Sequence, residues 1–229
     1  MFLYPKMNNT LIRQLLSGIA LIMLIGCKTP IQIVDKPIVF DEQRIALTKE
    51  YLQNRYQLTG DSITIKPKMI VVHHTVIPTF QETFEAFDPV TLPNWRPEIE
   101  NVSGLNVSSH FVVDRDGTIY RLMPENYMAR HVIGLNHCAI GVENVGGTPE
   151  LPLTEKQLKA NIKLVKYLAT KYGIDYVIGH HEYTRFEGHE LWLEVDAGYR
   201  TKKDDPGDAF MQKVRRATKK FNFKSLPEN

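Results

Sequence analysis

The hydrophobic pattern has its strongest feature at Ile70-Val71-Val72, a β-branched run that stops abruptly at His73-His74-Thr75. Such a run reads as a buried strand whose end delivers side chains to the rim of a sheet. Tyr176-Val177-Ile178-Gly179 repeats the pattern and stops at His180-His181. Between them, Ser108 to Val113 alternates as a strand, Asp114-Arg115-Asp116-Gly117 reads as a turn, and Thr118 to Met123 returns, which predicts a hairpin. Cys138 to Val145 is a further apolar strand that holds one acid, Glu143.

Helical spacing marks the remaining elements. Asp41 can cap a helix to Tyr56 with Ile45, Leu52 and Tyr56 on one face, and Phe80 to Phe87 reads as a shorter helix. Leu151 to Tyr172 carries a capping box, Thr154 with Gln157, a buried stripe of Leu158, Ile162, Val165 and Leu168, and Gly173 at the C-cap position. A last helix is expected with Asp205 at its cap, Pro206 in its first turn, and Phe210, Val214 and Ala217 inside. This order predicts one α/β domain, a central mixed β-sheet flanked by α-helices, with no internal repeat. Pro89 to Asn101, with Trp95, is a loop that either lines a cleft or packs on the domain.

The N-terminus has a different character. Lys6 and Arg13 precede an apolar stretch from Leu15 to Ile25, about the length of a signal-peptide core and short of the ~20 residues that span a bilayer. Its end, Leu24-Ile25-Gly26-Cys27, resembles the bacterial lipoprotein lipobox. The resemblance implies cleavage after residue 26 and lipid on the Cys27 thiol. The expected organisation is therefore a signal peptide over 1–26, a lipid-anchored tether over 27–40, and the folded domain over 41–229. Lipid on Cys27 would leave Cys138 without a partner, so no intramolecular disulfide is expected.

Composition narrows the function classes. The 229 residues are 43% hydrophobic and 24% charged, as for a folded protein, and a net charge of +2 gives no reason to expect a nucleic-acid partner. The two cysteines form no CxxC pair, so a zinc ribbon or thioredoxin-like site is unsupported. The candidate chemistry lies in the strand-end histidines and in Lys202-Lys203-Asp204-Asp205-Pro206-Gly207. Two histidines and an acid would give three zinc ligands and leave the open position of a catalytic site. Glu143 is a lone carboxylate in an apolar strand, and burial makes such a group costly without a partner.

Five motifs recur in one order: Val72-His73-His74-Thr75; Ser109-His110-Phe111 leading into Asp114-Arg115-Asp116-Gly117; Ile140-Gly141-Val142-Glu143-Asn144; Gly179-His180; and Lys203-Asp204-Asp205-Pro206-Gly207. Over roughly residues 65 to 215 the chain resembles the type 2 zinc N-acetylmuramoyl-L-alanine amidases, a family that includes phage lysozyme-type amidases and shares its fold with the peptidoglycan recognition proteins. The resemblance implies zinc on His73, His180 and Asp205, with Asp204 the alternative one position away. It implies Glu143 as general base, since the position that holds Tyr in some members is Ser109 here, and Lys203 as the cation facing the oxyanion. It places His110, His131 and Asn144 near the substrate, with packing the other reading for the two histidines. His74 and His181, second in their pairs, read as supporting residues. The implied reaction is hydrolysis of the amide between N-acetylmuramic acid and L-alanine in peptidoglycan or its fragments. With the lipobox, it implies a cell-envelope enzyme, held at a membrane, the outer one facing the periplasm.

One departure leaves a choice open. His180 and Asp205 lie 25 residues apart, further than in many members, so the stretch between them either covers the cleft or packs on the domain. The competing functions are a non-catalytic peptidoglycan-binding module and a zinc hydrolase of another amide. Oligomeric state is not legible.

Overall fold

The computed structural model describes residues 30–94, 99 and 101–228. The expected signal segment, Cys27 and Trp95 fall outside the described residues. From Gln32 on, the chain forms a single α/β unit around a mixed sheet. Its strands are β1 (Val34–Asp35), β2 (Met69–Val72), β3 (Phe111–Val113), β4 (Ile119–Arg121), β5 (Ala139–Asn144) and β6 (Tyr176–Gly179), in the order β1-β4-β3-β5-β2-β6. Only β3 and β4, the hairpin, pair antiparallel. The helices are α1 (Glu42–Tyr56), α2 (Phe80–Phe87), α3 (Glu155–Lys171) and α4 (Asp208–Thr218).

The core strands are apolar on both faces because both faces are covered. Met69, Val71, Ala139, Tyr176 and Ile178 face a cluster with Val132, Ile133, Leu135, Tyr183 and Phe186. On the opposite face, Asn144 of β5 meets Asn161 of α3. The inner stripe of α3 is more polar than expected: Gln157 and Asn161 are fully buried beside Leu158, Leu164, Val165 and Leu168, and Leu164 takes the place foreseen for Ile162. Gln157 has two tasks. Its carbonyl accepts from the Thr154 N–H in the capping box, and its amide donates to the carbonyls of Val113 and Val145 on two strands. The α3 helix ends at Tyr172 in extended backbone, so Gly173 is not used as a left-handed cap.

Three further expectations change. Residues 28–40 are not a free tether over their whole length. Val34 and Asp35 pair in parallel with Tyr120 and Arg121, the Lys36 and Ile38 N–H groups donate to Arg121 and Leu122, and Ile38 is buried beside Val112, Leu122 and Phe87. Two prolines and weak periodicity hide a short edge strand, whose partner lies far away in sequence. The buried face of α1 is built around Arg44, Thr48, Tyr51, Leu52 and Tyr56 rather than Ile45. Arg44 is 1% exposed because its guanidinium donates to the carbonyls of Phe87, Asp88 and Pro89, the free end of α2. Finally, α4 starts at Asp208 with Gly207 as its cap, which releases Asp205 from the capping role.

If 34–38 belongs to the fold, Ile38→Ala should destabilise the domain by ~2–4 kcal/mol, the usual cost of emptying a packed aliphatic site. Urea unfolding reads this directly, and a change below about 0.5 kcal/mol would return the segment to the tether.

Candidate metal centre

The site grows out of strand register. In the parallel ladders Val72 stands level with Val142 on one side and Gly179 on the other. The next residue along each strand is therefore His73, Glu143 and His180, and all three lie on the face that carries Val71, Gly141 and Ile178. The C-terminal ends of parallel strands thus bring together groups that are far apart in sequence. Asp205 comes from the loop before α4, and the His181 N–H donates to its carbonyl at 3.0 Å.

His73, His180 and Asp205 are all buried, and their ligating atoms converge. The Nδ1 atoms of the two histidines are 2.9 Å apart, and Asp205 Oδ2 lies 3.3 Å from that of His73 and 3.2 Å from that of His180. Ligand bonds of ~2.0–2.2 Å around a tetrahedral ion place the donor atoms about 3.3 Å apart, so this spacing fits a small dication. The charge state fits too. Burial and the neighbouring His73 lower the His180 pKa to about 4, which keeps its imidazole neutral with a lone pair to give. Burial raises the Asp205 carboxyl, but the adjacent His180 and His73 outweigh it and hold the group well below the usual carboxylate range. Asp204 is exposed and lies outside this group.

The other foreseen residues divide. His131 Nδ1 lies 3.0 Å from His73 Nε2, and its own Nε2 lies 3.3 Å from the Ala139 carbonyl. A chain of donors from His73 Nε2–H to His131, and from His131 to the carbonyl, leaves His73 Nδ1 bare toward the site. His131 therefore orients His73, a candidate ligand, and it also lines the adjoining cavity. Gly141 makes room for this ring: a Cβ there would stand 2.8 Å from His131 Cγ. Asn144 is fully buried and not a cleft residue. Its amide donates to the His73 carbonyl at 2.9 Å, and its oxygen accepts from Asn161 at 2.6 Å. His110 is also buried away from the cleft, accepting from the Gly141 N–H and donating to the Tyr127 carbonyl. Glu143 is half-buried beside His73. Lys203, also half-buried, lines a cavity of ≈ 240 Å³ with His180, His131, Arg130, Tyr199 and Lys202.

The long connection after His180 does both things that the sequence left open. A 3₁₀ helix (His180–Phe186) begins it, and Tyr183, Phe186, Leu191 and Trp192 pack against the sheet. Its last part, with Tyr199, Thr201 and Lys202, forms one wall of the cavity. Among the described residues, no carboxylate lines that cavity.

Residues 64–208 match the family model described as N-acetylmuramoyl-L-alanine amidase, a stretch that contains every ligand candidate. The chain belongs to this family. Among curated relatives, the endolysin of Klebsiella phage KP32 is 32% identical over 83 residues, 34% of this chain and 55% of the endolysin. Mouse (Mus musculus) peptidoglycan recognition protein 3 is 26% identical over 109 residues, 48% of this chain and 31% of that protein. The chain thus spans about half or less of the length of these relatives. Among solved structures, the amidase LysC from Clostridium intestinale URNW has a TM-score of 0.50 at 24% identity, covering 85% of this chain and 100% of its own. A selenomethionine derivative of AmpD has a TM-score of 0.52 at 22% identity, covering 85% and 99%. Both likenesses establish the amidase-type fold.

Burial lowers the His110 pKa to about 4. The folded value lies below that of the unfolded chain, so the unfolded state binds the extra proton. Stability from His110 is intact above about pH 6.5 and is lost as pH falls toward 4, by roughly 3 kcal/mol in full. Ring ¹⁵N resonances of His110 should stay in their neutral positions from pH 7.5 to 5.5, and an inflection near 6.5 would contradict the buried assignment.

Proposed function

We propose that this protein is a zinc-dependent amidase that hydrolyses the bond between N-acetylmuramic acid and L-alanine in peptidoglycan or its fragments. The convergence of His73 Nδ1, His180 Nδ1 and Asp205 Oδ2 carries the reading. Family membership supplies the substrate class. A zinc ion held by these residues would supply Lewis acidity for the scissile carbonyl and a lowered pKa for water.

The chain's own residues supply the rest. Glu143, level with His73, takes the proton of the attacking water and returns it to the leaving amine. Lys203, at the cavity wall, places its ammonium beside the negative charge that develops on the carbonyl oxygen. His131 keeps His73 in the tautomer that leaves Nδ1 free. At the N-terminus, the lipobox-like Leu24-Ile25-Gly26-Cys27 supports a lipid anchor and an envelope location, periplasm-facing at the outer membrane. The seven residue steps from Cys27 to Val34 reach at most ~25 Å, so an anchored domain would work close to its membrane.

The metal test is elemental analysis of purified variants. His73→Ala, His180→Ala and Asp205→Ala should each lose zinc and hydrolysis together, while stoichiometric zinc in all three would exclude this ligand set. Glu143→Gln should keep zinc but slow turnover by ~10²–10⁴, since an amide holds the shape and not the basicity. Mass spectrometry of the products would show free stem peptide. Substrate binding without any product would instead favour a binding module.

A further inference from the structure

A second group of possible cation ligands lies beside the first: His181, Glu182 and Asp208. Glu182 is already committed. Its Oε2 accepts from the Gly179 N–H at 2.7 Å and pairs with the Arg215 guanidinium, so its charge is matched. What remains is a bridge. His181 Nδ1 lies 2.9 Å from the Asp205 carbonyl, and His181 Nε2 lies 2.9 Å from Asp208 Oδ1. The Asp205 carbonyl can only accept, so the tautomer that serves it carries the proton on Nδ1. The same Asp205 carbonyl also accepts from the His181 backbone N–H at 3.0 Å. The ring lies close against Gly179, where a Cβ would stand 2.5 Å from His181 Cε1.

We propose that His181 is a positioning residue for the metal ligand Asp205, holding its backbone while Asp208 fixes the ring from the first turn of α4. This rests on the zinc reading above. The physical need is clear. Asp205 is the only candidate ligand of the three that follows a long connection rather than a sheet strand, and its loop has no ladder to fix it. Two donors from one residue replace that ladder. Because His181 follows His180 directly, the same short segment supplies one ligand and fixes another.

The test separates hydrogen bonding from packing. Zinc affinity is measured by competition with a chelator, and thermal stability is measured on the metal-free proteins. His181→Ala should bind zinc about tenfold more weakly, the lower end of the cost of losing a supporting partner. His181→Asn puts an amide N–H near the place of Nδ1 and should recover affinity to within about threefold of wild type. His181→Gln fills more of the space but puts its amide near the place of Nε2, so it should bind about as weakly as His181→Ala. Unchanged affinity in His181→Ala would overturn the proposal. Better recovery by Gln than by Asn would also overturn it, as the mark of a space-filling role. Loss of a second bound zinc in His181→Ala would show a separate cation site instead. If wild type takes up no zinc, the metal reading fails; if wild type binds zinc and His181→Ala binds it equally, this inference alone fails.

Discussion

The site depends on the parallel register of β5, β2 and β6. Strand pairing fixes backbone positions to a fraction of a residue, because a slip of one residue would turn every side chain to the other face. Val72 level with Val142 and Gly179 therefore decides that His73, Glu143 and His180 share a face and a height. The register is set in turn by cores on both faces, since Met69, Val71, Ala139 and Ile178 must meet one cluster while Asn144 meets α3.

Polar groups beneath the strand ends complete this rigidity. Asn144 ties the His73 carbonyl to Asn161, and Gln157 ties the carbonyls of Val113 and Val145 to α3. On the other flank, Glu182 joins the Gly179 N–H to Arg215 of α4. Buried amides and charges are costly without partners, and here Asn144 and Glu182 are spent on backbone groups at His73 and next to His180. Two buried arginines, Arg44 and Arg130, act in the same way farther out. Arg44 holds the carbonyls of Phe87 to Pro89, and Arg130 those of Ile99, Ser103 and Leu105.

Much of this was legible in the residues. The strand ends at His73 and His180, the hairpin at Asp114 to Gly117 and the capping box at Thr154 all carry local signals, and each stands where those signals place it. What escaped was non-local. A two-residue strand such as Val34–Asp35 has no period of its own and exists only because β4 offers an edge. Gln157 and Asn161 were passed over because a search for apolar stripes discounts polar residues on the buried face, although their four-residue spacing was visible. The resemblance placed His110 and Asn144 near the substrate; here both are buried and bonded to backbone groups, His110 to the Gly141 N–H and Asn144 to the His73 carbonyl.

The span of the chain that closes the site has a consequence for biogenesis. His73 and His180 are 107 residues apart, and Asp205 follows 25 residues later. Contacts of such separation form late, after the intervening chain has ordered and its loop entropy has been met. A chain emerging from its N-terminus can build the hairpin and dock α3 while it still has one histidine of the trio. Completion of the trio thus becomes an end-point of folding: a chain cut just before residue 205 keeps β1 to β6 but never brings the three groups together.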